Sequence, residues 1–297
     1  MFKVKATQLN LRSEPRAVPS TRLAVLPRAQ EVQLIEKTND RWWRVRTRLG
    51  GLSVEGYVAA SHLVQTQALP EPASFSGLVP VHLTSNEPVR RNSMQRRAFA
   101  LNESGQPLRR GGSPDVRARE LVSIVKWLGV DRGARYLARG GATYCNVYAY
   151  DYCHLADAYL PRVWWSASAV HALLGGDRVE AVYGKTVYEQ NANALHRWLE
   201  EFGARFGWRR TLDLVALQDA ANAGSVCLIS AQRVEANLPG HICAVVPENG
   251  SFRAVRSATG AVTIPLQSNA GATNFQFGGK AWWTAAKFRS FGFYIHE

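Results

Sequence analysis

The stretch TYCNVYAYD at residues 143–151 decides how this chain reads, because its cysteine stands where a loop, Arg139-Gly140-Gly141-Ala142, gives way to a helical pattern. A second stretch, PGHICAVVPE at residues 239–248, puts His241 at the opening of an apolar strand. Only a thiolate attacks a carbonyl, and a free cysteine thiol is mostly protonated at neutral pH. A helix N-terminus lowers a thiol's pKa through its unpaired N–H groups and dipole, and a nearby imidazolium does so through a full charge. Cys145 and His241 are therefore expected to act as nucleophile and base, with a thiol more acidic than usual.

The bland reading competes at every one of these positions. A lone helical cysteine is more often a small buried hydrophobe than a nucleophile, and that reading is kept for Cys153, Cys227 and Cys243. Cys243 alternates with His241 on one strand face and is expected to fill core beside the site. Cys145 and Cys153 lie eight positions apart on one helix, roughly 12 Å at 1.5 Å per residue, beyond disulfide reach, and all four thiols are expected to be free. Asp151 is turned roughly 600° from Cys145 along the helix and reads as a structural hydrogen-bond partner. His154 follows Cys153 without a second spaced pair, so no metal and no cofactor are expected. His62, His82, His171, His196 and His296 read as structural or surface groups.

A chain of 297 residues suggests two domains. Its net charge of +13 and pI of about 10.0 favour a polyanionic environment. The basic residues are interleaved with apolar ones, without a run of five or six like charges, so a nucleic-acid arm is not expected. No window approaches eighteen apolar residues and no signal-peptide pattern opens the chain, so no stable membrane insertion is expected. A target outside the cytoplasm would then be reached by release or by a dedicated secretion route.

Residues 1–66 alternate as half-buried strands, in Glu31-Val32-Gln33-Leu34 and Trp43-Arg44-Val45-Arg46 for example, and predict a small barrel. The order Leu9-Asn10-Leu11-Arg12-Ser13, Leu26-Pro27, Trp42-Trp43-Arg44-Val45, Gly56-Tyr57-Val58 and His62-Leu63 resembles the bacterial SH3 domain. Residues 67–116 read as a Pro-rich linker followed by a basic surface arm. Residues 117–297 read as helices first and antiparallel strands afterwards, an α+β order. Helices are expected from Arg117 to Gly129, from Cys145 toward Ala158, and at NANALHRWLEEFGARFG and LDLVALQDAANAG.

A cysteine helix followed by a histidine strand and then a polar residue is the chain order of papain-like hydrolases. With RYLARGGATYCN and GHICAVVP, the C-terminal domain resembles papain-like bacterial cell-wall hydrolases of the NlpC and CHAP type, although Tyr144-Cys145-Asn146 replaces the usual Asp-Cys-Ser. The resemblance implies a helix bundle packed on an antiparallel sheet and a thiol mechanism cutting an amide bond of peptidoglycan. It also implies Tyr136 in the substrate cleft; Tyr144, Asn146 and Trp165 are expected as further substrate contacts. A polar residue on the next strand would hold the histidine ring. Gln267 is the first choice, with Asn269, Asn274 and Glu248 as competitors. The paired tryptophans Trp42-Trp43, Trp164-Trp165 and Trp282-Trp283 should each place one ring in the core and one outside. In the SH3-like domain the outer ring, beside Arg44 and Arg46, would suit an anionic wall polymer. The alternatives are a secreted toxin that cleaves or deamidates a protein, expected to have an immunity protein, and a non-catalytic wall-binding protein.

Overall fold

Apolar–polar alternation in the first sixty-five residues produces seven short antiparallel strands: β1 (Phe2–Val4), β2 (Gln8–Arg12), β3 (Arg22–Pro27), β4 (Glu31–Lys37), β5 (Trp42–Leu49), β6 (Leu52–Ala59) and β7 (Leu63–Gln65). The computed structural model describes residues 2–49, 52–65 and 77–297, and the chain divides into two units, Met1–Phe75 and Ser76–Glu297. In the first unit the strand order is β3-β2-β6-β5-β4-β1-β7. Every second side chain turns inward, so Leu9, Leu11, Leu26, Val32, Val45 and Val58 form one core. Gly56 is required where β6 crosses β2, since a Cβ there would stand 2.6 Å from the Arg12 carbonyl oxygen.

Neither tryptophan of the Trp42-Trp43 pair is fully buried. Trp43 packs on the core, edge-on to Phe2 with ring centroids 5.1 Å apart, and carries the Lys37 ammonium 5.0 Å from its ring. Trp42 lines a groove with Arg41 and His62. Arg44 and Arg46 both pair with Glu55, at 2.9 and 2.6 Å, so the carboxylate already offsets the charge expected to attract an anionic polymer.

The proline-rich stretch expected as a linker lies, up to residue 76, outside the described residues. From residue 77 onward the chain is part of the second unit rather than a surface arm. Leu78, Val81, Val89, Ala98 and Leu101 are buried, and Arg97 donates to the carbonyls of Ala134 and Arg135. Side chains bonding to backbone, instead of a helix or strand ladder, hold this segment. Its apolar residues therefore show no period although they are buried.

The helix expected from Arg117 is α1 (Pro114–Leu128). Ser113 caps it by accepting from Val116 N–H, Pro114 occupies the first turn, and Gly129 closes it at φ 55°. Next comes α2 (Cys145–Leu155), then α3 (Ala167–Leu174), which the sequence reading missed, between the paired strands β8 (Val163–Trp165) and β9 (Val187–Glu189). Asn191 caps α4 (Ala192–Glu201) and Asp213 caps α5 (Leu214–Asn222), on either side of β10 (Trp208–Thr211). The strands that follow are β11 (Val226–Arg233), β12 (His241–Val245), β13 (Val255–Arg256), β14 (Val262–Ile264), β15 (Gln267–Asn269), β16 (Phe275–Gly278) and β17 (Phe288–His296).

Six of these strands form one antiparallel sheet in the order β10-β17-β11-β12-β15-β16, while β13 and β14 pair apart from it. Pro265, which has no N–H to give a ladder, lies between β14 and β15. One face of the sheet packs Cys227, Ile229, Cys243 and Val245 against Leu217 and Ala221 of α5 and against Trp283. The opposite face meets α4 through His196 and Ser230 and meets α2 through Tyr148, whose hydroxyl bonds to Ser268 at 2.5 Å.

Candidate active site

Helix α2 is buried along nearly its whole length, and a buried polar cluster anchors it. Asp151 accepts from Arg135 Nε at 2.6 Å and from the Tyr136 hydroxyl at 2.9 Å, and both Arg135 and Asp151 are 0% exposed. Asp151 thus has the structural part its place on the helix suggested. Tyr136, expected in the substrate cleft, is fully buried in this cluster, where burial drives its phenol pKa well up. It fixes the loop leading to Cys145 and touches no solvent.

Cys145 occupies the first turn of α2, as the sequence predicted, and Tyr144 is the residue just before it. The Arg97 guanidinium stacks 3.6 Å from the Tyr144 ring. Asn146 is spent on architecture, its amide donating to the Gln190 carbonyl at 2.9 Å. Trp165 is 7% exposed and bonds through its indole N–H to Val79, so it belongs to the interior and not to a substrate surface. Trp164 is buried as well, within an aromatic group that includes Trp198 and Phe206. In this pair, then, both rings are inside.

His241 opens β12 as expected, and its Nε2 lies 2.7 Å from Asn269 Oδ1. An amide oxygen can only accept, so Nε2 carries the proton and Nδ1 is left as the basic nitrogen. Gln267, the expected partner, is buried and committed elsewhere: its amide nitrogen donates to the Pro265 and Lys280 carbonyls, and its oxygen accepts from Trp282 Nε1 at 3.0 Å. Antiparallel register explains the difference. Gln267 stands opposite Val245, at the far end of β12, and Ser268 opposite Ala244. Asn269 is therefore two residues nearer to His241 along the strand, about 7 Å. Gly271 leaves room for the ring, since a Cβ there would sit 3.4 Å from His241 Cε1 and 3.2 Å from the Asn269 amide nitrogen.

The other competitors are also placed. Asn274 bridges backbone, accepting from Gly271 N–H and donating to the carbonyls of Val130 and Tyr136. Glu248 is clamped by Arg256, whose hydrogen bonds hold its carboxyl at about 2. Trp282, absent from the sequence-derived site residues, lies edge-on to His241 with ring centroids 4.4 Å apart. The signal that could have found it is the Trp282-Trp283 pair, of which Trp283 is core and Trp282 half-buried against that core; the pair lies on a 3-10 turn, so strand alternation is not what separates the two rings.

Helix α2 packs against β12, close enough for the backbone N–H of Ile242, the residue after the histidine, to act on the Cys145 sulfur. Cys145 is 3% exposed. Burial raises its pKa despite the N–H groups of Ile242, Asn146 and Cys145 itself, which work the other way. The expected acidic thiol is thus corrected: in this resting arrangement the residue is a thiol, not a thiolate. His241 is likewise neutral, with burial and the charge of Lys287 taking its pKa to about 4 against the help of Asn269. Among the described residues, the side-chain hydrogen bond of His241 runs to Asn269 and none joins it to Cys145. All four cysteines are free and buried. Among the described residues no cluster of His, Cys, Asp or Glu is arranged to hold a metal ion, and no helix is long and apolar enough to cross a membrane.

The two imidazoles depressed to about 4 give a pH prediction, and burial lowers His82 and His296 in the same direction. His196, buried between Ser230 and Ser290, also has a pKa of about 4, from burial first, against an ordinary 6.5 for both rings. The unfolded chain binds protons that the folded chain refuses between those values. Stability is therefore complete above pH 6.5 and falls as the pH drops toward 4, by at most about 1.4 kcal/mol per pH unit per histidine. Urea midpoints measured at pH 7.0, 5.5 and 4.5 should decline steadily, and a flat profile would contradict the burial of both rings.

Residues 7–64 match the family described as the bacterial SH3 domain, so the first unit carries such a domain. No curated protein matches the chain. A solved structure of NlpC2 from Trichomonas vaginalis aligns over 96% of this chain and 73% of its own at 13% identity and a TM-score of 0.22, too loose a superposition to carry an argument.

Proposed function

We propose that this protein is a cysteine hydrolase with a papain-like second domain, cleaving an amide bond of peptidoglycan and held at the wall by its bacterial SH3 domain. The observation that carries the reading is the His241–Asn269 hydrogen bond. It fixes the imidazole with Nδ1 as acceptor, beside a cavity of about 360 Å³, one residue along β12 from the backbone group that acts on the Cys145 sulfur. The bacterial SH3 match supports the wall as the place of action.

In this mechanism the thiol turns from the Ile242 N–H toward Nδ1 and gives up its proton as the sulfur attacks the amide carbon. The imidazolium then protonates the leaving amine, and water, deprotonated by the same ring, hydrolyses the thioester. Backbone N–H groups at the start of α2 and at Ile242 supply donors for the oxyanion. Asn269 holds the ring through both changes of charge. Asn269→Ala should slow muropeptide release from purified sacculi about 10- to 100-fold with little change in unfolding temperature. Gln267→Ala should instead lower the unfolding temperature more than it slows release, because it removes the acceptor of the half-buried Trp282 indole N–H. Equal activity in Asn269→Ala and the wild type would sink the proposed assignment of the third residue.

One observation favours a non-catalytic wall-binding protein instead, namely the 3% exposure of Cys145. Iodoacetamide at neutral pH separates the two readings. Selective labelling of Cys145 over Cys153, Cys227 and Cys243 fits the enzyme, and four equally inert thiols fit the binding protein.

A further inference from the structure

Strand β17 runs from Phe288 to His296, yet its two neighbours cover it unequally. β11 pairs along it down to Phe288, whereas β10 pairs with Phe293–His296 alone, because the chain leaves the sheet at Leu212 and Asp213 then caps α5. Residues 288–292 therefore have a strand on one side and an open lane on the other, about 17 Å for a five-residue run. Successive residues of an antiparallel strand turn their N–H and C=O groups to alternate sides. The Phe291 carbonyl shows which set faces the lane, since it accepts from Arg210 of β10 at 3.0 Å. The N–H groups of Phe291 and Arg289 and the Arg289 carbonyl point the same way, and among the described residues no group pairs with them on that side.

The rim of the lane combines apolar surface with positive charge. Leu212 is 57% exposed and Phe291 38% exposed. Lys287 and Arg289 are exposed as well. Arg289 donates to the Val234 carbonyl and Lys287 extends along the Phe288 ring, and among the described residues neither meets a carboxylate. The carboxylates nearby are engaged: Glu200 with Arg210, Glu297 with Arg209, and Asp213 with the Val215 N–H. An unpaired edge invites another strand, and basic residues on it guard against pairing with itself. A second copy would bring Lys287 and Arg289 beside their own counterparts, which is unfavourable across a ladder. An acidic strand meets them with opposite charge.

We propose that this lane is the docking site for an extended acidic segment of a partner protein, which adds to the sheet beside β17 in line with β10. Backbone pairing at Arg289 and Phe291 holds the segment, Leu212 and Phe291 receive an apolar side chain, and Lys287 and Arg289 select negative charge. The site does not depend on whether Cys145 is a nucleophile.

The test uses the whole chain and two probes, acetyl-Glu-Val-Glu-Val-Glu-amide and acetyl-Lys-Val-Lys-Val-Lys-amide. Calorimetry at low salt should find the glutamate peptide bound at least about fivefold more tightly, the upper end for one exposed ion pair, with the preference shrinking as salt is raised. Hydrogen exchange at the Arg289 and Phe291 amides should slow when it binds. Phe291→Pro removes an N–H that faces the lane and leaves the ladder to β11 intact, so it should abolish binding, while Phe291→Ala keeps the N–H and should only weaken it. Lys287→Gln combined with Arg289→Gln should erase the charge preference, and this variant carries the test if Phe291→Pro does not fold. Equal affinity for the two peptides, no binding of either, binding without protection of those two amides, or a preference that survives the double substitution would each overturn the proposal. A dimer in sedimentation that Phe291→Pro dissolves would overturn it too, by giving the edge to a second copy.

Discussion

The Cys145→Ala chain is expected to release no muropeptides from purified sacculi, a loss of at least about 10⁴-fold, because nothing else at the start of α2 can form the covalent intermediate. The fold should survive. Residue 145 lies in the first helical turn and, among the described residues, makes no hydrogen bond to another side chain, so alanine removes a small buried group and leaves Tyr144, Arg97 and the His241–Asn269 pair where they are. Mass spectrometry of sacculi digests gives the activity, and a thermal unfolding curve gives the control. Undiminished release by this variant would mean that the thiol is part of the core and that any hydrolysis arises elsewhere.

The largest effect on stability is expected at Asp151. Its carboxylate meets Arg135 and the Tyr136 hydroxyl with no exposure to water. Replacing it with alanine leaves a guanidinium buried with only the carbonyls of Phe99 and Arg96 to answer it. Breaking a buried pair from one side costs about 3–5 kcal/mol, a large part of the 5–15 kcal/mol that typically holds a domain together. Urea titration should show the second unit losing most of its stability, while the N-terminal β-unit unfolds as before. Replacing both partners together, Arg135→Met with Asp151→Leu, should cost much less, since no charge is stranded. If Asp151→Ala and the double replacement behave alike, the pair is not the anchor of α2.

The consequence for function follows from the same cluster. Tyr136 and Asp151 connect the loop before Cys145 to the middle of α2, and Arg97 stacks on Tyr144 from the segment preceding α1. The first turn of α2 is thus fixed from two sides before any substrate arrives. In the proposed hydrolase that rigidity would suit a nucleophile whose attack geometry tolerates little error. It also accounts for the cost visible at rest, a thiol so enclosed that its pKa rises.

Local sequence determined most of the elements. Alternation in residues 1–65 was enough for the β-unit, and the cysteine and histidine stood at the helix and strand openings predicted for them, whereas α1 begins at Pro114, before the expected Arg117, where Ser113 caps it. These features depend on backbone geometry and side-chain period, which act within a few residues. Which side chains meet was decided by tertiary structure alone. Gln267 and Asn269 share one strand face, and only the register of β15 against β12 brings Asn269 to the imidazole and leaves Gln267 to the Trp282 indole. Tyr136 and Trp165 read as substrate contacts until the fold enclosed them, and residues 77–113 fell within the stretch read as linker and basic arm because their burial follows no period. The charge state of the thiol belongs to the same class. A helix N-terminus favours thiolate and burial favours thiol, and the balance depends on packing around the sulfur that no linear pattern encodes.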